Sequence, residues 1–215
     1  MTGSPTALPP TPILGVPLPP IGPQTMSLPA SALAGQHEPA SDAMTIGVVL
    51  EIPEPWATYL QTSRAGFGDQ QAQAIPTHVT LLPPTSVPGD KVAGVVAHLA
   101  AVALTLRPFD LLLEGTDTFR PVSPVVFVRV ARGGDGCDAV QRAVRTGPLQ
   151  RELTFPFHPH VTVAHHLDDE ALDRAAKELA DFSASFRVTS FVLYEHGSDG
   201  VWRPRRLFRF GGGPA

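Results

Sequence analysis

Two short stretches written almost alike constrain this chain more than anything else in it. His158-Pro159-His160-Val161-Thr162-Val163-Ala164-His165-His166 contains His-Val-Thr followed by an apolar residue, and Thr77-His78-Val79-Thr80-Leu81-Leu82 carries the same pattern 82 residues upstream. Both lie in β-branched runs that predict strands. Successive strand side chains point to opposite faces, so each His shares a face with the Thr two positions on, while the valines face a core. Each copy offers an imidazole beside a hydroxyl. Brought together, two imidazoles and two hydroxyls around one space suit a phosphate whose ester bond is to be made or broken.

The remaining pattern says how the two copies are carried. A buried strand is expected over Thr45–Ile52, and Glu54-Pro55 opens a helix with Trp56, Leu60 and Phe67 on one side. The first His-Val-Thr strand spans about Ala74–Leu82 and is expected to end at Pro83-Pro84. Val92, Val95, Val96, Leu99, Val102 and Leu106 keep helical spacing from Asp90 to about Leu106. His98, on the other side of that helix, reads as a solvated surface residue. Strands follow at Phe109–Glu114 and Val125–Val130, then a helix over Asp135–Arg145. After the second His-Val-Thr strand, Asp168-Asp169 caps a helix bearing Leu172, Ala175, Ala176 and Leu179. Phe186–Tyr194 and Val201–Phe210 close the chain as a hairpin across Gly197-Ser-Asp-Gly. Strands and helices alternate in two similar halves, each with one His-Val-Thr strand followed by a helix. That order predicts an α+β pseudo-repeat with the cleft between two lobes.

Composition sets the limits. Residues 1–43 hold ten of the 24 prolines and no Lys or Arg, which predicts a disordered or polyproline-like tail, with the folded domain spanning residues 44–215. Met44 is itself a candidate translation start. No basic, apolar signal segment and no bilayer-length apolar run is present, so no membrane association is expected. Without the tail's two acids, 16 basic residues face 18 acidic ones, which argues against a non-specific polyanion binder. The lone Cys137 falls in step with Val140 and Val144 on a helix face and reads as a small buried hydrophobe, and one cysteine fits a reducing, cytoplasmic compartment. Gly133-Gly134-Asp135-Gly136 lacks the Lys-Ser/Thr of a phosphate loop and is expected to be a plain loop.

At His78-Val79-Thr80-Leu81 and His160-Val161-Thr162-Val163 the chain resembles the two-histidine (2H) phosphoesterases, and its surroundings resemble their bacterial 2′-5′ RNA ligase-like branch, which includes RNA 2′,3′-cyclic phosphodiesterases. The likeness extends over roughly residues 45–210. It implies a bilobal fold of antiparallel sheets with helices outside and both motifs lining a central cleft. It also implies no metal and no cofactor, no obligatory protein partner, and chemistry on a phosphodiester involving a ribose 2′ oxygen at an RNA terminus or in a small nucleotide. By the resemblance His78 is the proton donor and His160 the proton acceptor.

The chemistry is consistent with that pairing. Opening a 2′,3′-cyclic phosphate needs a base for the attacking water and an acid for the departing ribose oxygen, and imidazole serves either role near neutral pH. Thr80 and Thr162 would donate to the non-bridging oxygens as charge grows there. Arg120, in the loop Thr118-Phe119-Arg120-Pro121, and Arg203, on the last strand, are candidate phosphate-binding cations; a solvated basic strand edge is the alternative for each. Phe119 or Trp202 either stacks on a base or belongs to the core. The rival chemistry is a zinc site built on His158, His160, His165 and His166, against which stand the lack of cysteine there and the opposite faces expected for His165 and His166. His158 either shapes the cleft mouth or ends a loop. A binding module that holds a nucleotide or RNA end without turnover is the remaining alternative.

Overall fold

The computed structural model describes residues 43–153 and 155–211. The tail expected over residues 1–43 lies outside them except for Ala43, where the first strand opens. The elements in chain order are β1 (Ala43–Glu51), α1 (Trp56–Gly66), β2 (His78–Pro88), α2 (Val92–Thr105), β3 (Phe109–Thr118), β4 (Val125–Arg132), α3 (Gly134–Val144), β5 (His160–His165), α4 (Asp169–Glu178), β6 (Ser183–Val188), β7 (Ser190–His196) and β8 (Trp202–Arg209). Among the described residues no helix is long and apolar enough to cross a membrane.

The strands form one antiparallel sheet in the order β6-β3-β4-β5-β2-β1-β7-β8. Read outward from its middle, the sheet is two sets of four: β2-β1-β7-β8 and β5-β4-β3-β6. This is the pseudo-repeat expected from the sequence, with one His-Val-Thr strand at the inner edge of each lobe. The lobes meet through a single paired position, Val79 opposite Val161. Beyond that pair β2 and β5 run on without a shared ladder.

A strand expected as one piece is two. Phe186–Tyr194 breaks at Thr189, between β6 and β7, which lie six strand positions apart in the sheet. In a flat sheet that separation would be about 29 Å, whereas one residue spans about 3.5 Å. The sheet therefore curls until its two lobes approach each other at Thr189, where Phe210 N–H extends the β7–β8 ladder by donating to the Thr189 carbonyl (2.8 Å). The apolar sides of the helices, with Leu60, Leu99, Val140 and Leu172 among them, join Val48, Leu50, Val79, Leu81, Val161 and Val163 in one core. His78, Thr80, His160 and Thr162 take the alternate positions and face away from it.

Three other local expectations change. Strand β2 continues through Pro83 and Pro84 because the register with β1 slips there, from Ile46 opposite Thr85 to Val48 opposite Leu82. The bulge takes up the prolines, and β5 pairs with β2 only at Val79, so no second ladder needs their missing N–H. The glycine cluster is no plain loop: Gly133 (φ 91°) caps α3, and a Cβ there would lie 2.5 Å from the Asp110 carbonyl oxygen. His98 is half-buried rather than solvated, its Nε2 3.2 Å from the Val144 carbonyl, which ties α2 to the end of α3. Cys137 is fully buried, and burial pushes its thiol up to about 12. Asp168 caps α4 by accepting from the Ala171 amide, with Asp169 and Glu170 in the first turn.

Candidate active site

The same local device orients both histidines. Nδ1 of His78 donates to the Pro76 carbonyl at 2.6 Å, and Nδ1 of His160 donates to the His158 carbonyl at 2.7 Å. In each motif the acceptor lies two residues upstream, so each ring keeps Nε2 for other partners; that of His78 is 3.0 Å from Thr80 Oγ1. Counted in antiparallel order from the Val79–Val161 pair, His78 lies on the side of Thr162 and Thr80 on the side of His160. The two histidines are diagonal neighbours across this junction, near enough for the charge of His160 to act on His78.

The environments of the two rings differ. Burial lowers the pKa of His78, opposed by the bond to Pro76, with the positive charges of Arg64 and His160 lowering it further. His160 is lowered chiefly by burial, opposed by its bond to His158 and assisted by the nearby His158 ring. His160 rests against Phe119 and Phe127, each 5.0 Å away between ring centroids. A cavity of about 290 Å³ opens on the His78 side, walled by Val49, Ile75, Pro76, Tyr194 and Trp202, and Thr80, Thr162, His165 and Arg64 add its polar groups. His160 does not wall that cavity and lies one diagonal step away. Trp202 packs over Gly47, where a Cβ would meet the indole at 3.1 Å, so the glycine is what lets the ring form the wall. Phe119 is half-buried, packed on Phe127 (4.4 Å) and edge-on to the rings of His158 and His160.

The two arginines expected near the phosphate are engaged elsewhere. Arg120 reaches Asp169 (3.1 Å) and Asp173 (2.5 Å) on α4. Arg203 grips Asp199 with both terminal nitrogens, at 2.9 and 2.6 Å. Neither lines the cavity. The cation that does is Arg64, in the last turn of α1, with 3% of its surface exposed. The sequence held a signal for it: Arg64 interrupts the stripe Trp56–Leu60–Phe67 at the position four residues after Leu60.

His165 is the other residue missed. Phe127 lies opposite Thr162 but Val126 opposite Ala164, so Val163 is an extra residue in β5 and the alternation slips. That slip turns His165 to the cavity beside Thr162. His166, with φ 54°, leaves the strand, and the two rings stack 3.8 Å apart instead of pointing to opposite faces. Among the described residues no three His, Cys, Asp or Glu side chains gather where a metal ion could be held; His158 is exposed, its ring 6.1 Å from that of His160.

An antiparallel α+β fold of two repeated lobes, each giving one His-x-Thr strand to the middle of the sheet, defines the class of two-histidine phosphoesterases. The chain belongs to the 2′-5′ RNA ligase superfamily, whose sequence profile matches residues 52–200. A protein of Bacillus licheniformis named "Putative phosphoesterase" is 30% identical over 170 residues, 78% of this chain and 99% of its own. A relative of the same name from Halalkalibacterium halodurans is 26% identical over 170 residues, 78% of this chain and 98% of its own. Among solved structures, E. coli LigT in apo form aligns with a TM-score of 0.57 at 19% identity, covering 79% of this chain and 99% of LigT. LigT complexed with 3′-AMP aligns at 0.53 and 18% identity with the same coverage.

Proposed function

We propose that the chain is a metal-independent phosphodiesterase or ligase acting on the 2′,3′-cyclic phosphates or 2′-5′ linkages of RNA ends or small nucleotides. The observation that carries this reading is the diagonal placement of His78 and His160 across the Val79–Val161 pair, each with Nδ1 tied to a carbonyl. In hydrolysis His160 takes a proton from water as its oxygen bonds to phosphorus, and His78 gives a proton to the ribose oxygen as the P–O bond breaks. Thr80 and Thr162 donate to the non-bridging oxygens, where negative charge accumulates. Both imidazoles are lowered from 6.5, so burial disfavours the charged donor and an anionic phosphate beside it favours that form. A small substrate is favoured by the net charge of −4 and by the cavity of about 290 Å³; the 3′-AMP complex of the LigT relative points the same way.

The test is turnover of a panel of 2′,3′-cyclic nucleotides and cyclic-phosphate-ended oligonucleotides in excess EDTA, with the product phosphate position read by chromatography and mass. Sustained ring opening is expected. Loss of activity on chelation would move the reading to metal-dependent hydrolysis, and tight binding without product would move it to a nucleotide-binding module.

A further inference from the structure

The buried ion pair at the end of α1 is built with an opening. Cations are seldom buried unless paired, and Arg64 is paired with Asp69, itself 4% exposed. A carboxylate commonly grips a guanidinium with both oxygens, one on each of two parallel N–H groups. Asp69 does not. Its Oδ2 accepts from Arg64 Nε at 2.7 Å, while Oδ1 accepts from the Gln71 amide at 2.9 Å, where Asp69 caps the turn over Gln70–Gln73. Arg64 Nη1 donates to the Ile75 carbonyl at 3.2 Å. Nη2 has no partner among the described residues and is not among the buried orphaned atoms, and Arg64 lines the cavity that also holds His78, Thr162 and His165.

We propose that Arg64 binds a phosphoryl oxygen of the substrate through Nη2, with Asp69 and the Ile75 carbonyl holding the guanidinium so that this edge stays directed into the cavity. The inference rests on the phosphodiesterase reading and supplies the cation that Arg120 and Arg203, closed on their carboxylates, do not. It accounts for an Asp–Arg pair joined by a single hydrogen bond, with the second carboxylate oxygen spent on the Gln71 amide. It also gives the segment before the first motif a purpose: Asp69, Gln71 and Ile75 fix Arg64, and Pro76, the next residue, fixes His78. Arg64 charge acts on both His78 and His165, so a phosphate seated on Nη2 would offset that charge and let His78 hold its proton.

The experiment titrates inorganic phosphate into the full-length protein, following histidine ring protons by NMR, in wild type, Arg64→Gln, Arg64→Lys and Asp69→Asn, with circular dichroism to verify each fold. Wild type is expected to bind phosphate saturably with an upward shift of the His78 titration. Arg64→Gln should weaken binding at least about tenfold, the loss for a hydrogen bond to a charged group. Arg64→Lys keeps the charge without the fork and should fall between. Asp69→Asn loses one of the two acceptors that hold Arg64 Nε and the Gln71 amide but keeps the positive charge of Arg64, and should weaken binding by less than Arg64→Gln. Wild-type affinity in Arg64→Gln, or a loss in Asp69→Asn equal to that in Arg64→Gln, overturns the inference, the second pattern being that of a purely structural ion pair. Should Arg64→Gln not fold, unchanged affinity in Arg64→Lys overturns it and a severalfold loss supports it. Wild type that opens cyclic phosphates while Arg64→Gln binds phosphate normally sinks this inference alone. Wild type that neither opens them nor binds phosphate sinks the underlying reading as well.

Discussion

Replacing Thr162 by Val isolates one interaction with little else disturbed. Thr162 is half-buried, lines the cavity and sits across the β2–β5 junction from His78. Its hydroxyl has no hydrogen-bond partner among the described residues, whereas that of Thr80 meets His78 Nε2 at 3.0 Å. Valine keeps the β-branched shape that suits β5, and no buried partner is orphaned by the change, so stability should stay within about 0.5 kcal/mol of wild type. Activity should not be spared. A preorganised donor aimed at developing phosphoryl charge is worth about 2.7–4 kcal/mol, or roughly 10² to 10³ in kcat. Hydrolysis of a 2′,3′-cyclic nucleotide, followed by chromatography at saturating substrate, would measure the loss, and urea denaturation the stability. A folded Thr162→Val enzyme with wild-type kcat would refute the claim that charge grows against this hydroxyl.

Further expectations follow from the same geometry. His78→Ala and His160→Ala should each lower kcat by about 10² or more with the fold intact by circular dichroism; near wild-type turnover in either removes that residue from the mechanism. Activity requires one imidazole charged and one neutral, and both are lowered from 6.5, so kcat/KM should peak on the acid side of 6.5; an optimum above pH 7.5 contradicts this assignment of roles. Lowered folded-state values for His78, His160 and His165 mean that the unfolded chain takes up protons first. Stability present at pH 7 should therefore decline as pH falls through 6.5, a trend that melting temperatures across pH 5–8 will show or deny. Gly133→Ala forces a Cβ to within 2.5 Å of the Asp110 carbonyl oxygen at φ 91°, and should cost about 1–3 kcal/mol in urea denaturation.

The pairing of His78 with Thr80 and of His160 with Thr162 was legible because a strand's period of two is enforced by one buried face, and Val79, Leu81, Val161 and Val163 are that face. The helices were legible for the same reason at their own period. What the sequence hid depends on contacts between distant residues. Arg120 reads as an available cation until α4 brings Asp169 and Asp173 to it. Arg64 stands out as a cation on the apolar stripe of α1, but its partner is hidden until the turn after α1 returns Asp69 to its Nε. The break at Thr189 carries no punctuating glycine or proline, and only the curl of the sheet shows that β6 and β7 belong to different lobes. His165 faces the cavity because of a bulge at Val163, a slip that only the register with β4 reveals.

The proposed reaction needs two imidazoles that address one phosphorus from opposite sides. A crystal structure with a nucleoside vanadate, which mimics the five-coordinate phosphorus of the transition state, tests this directly. Vanadium between the two Nε2 atoms, each within about 3 Å of an apical oxygen, is the predicted result. Vanadate touching one histidine only, or bound away from the Val79–Val161 junction, would contradict the account.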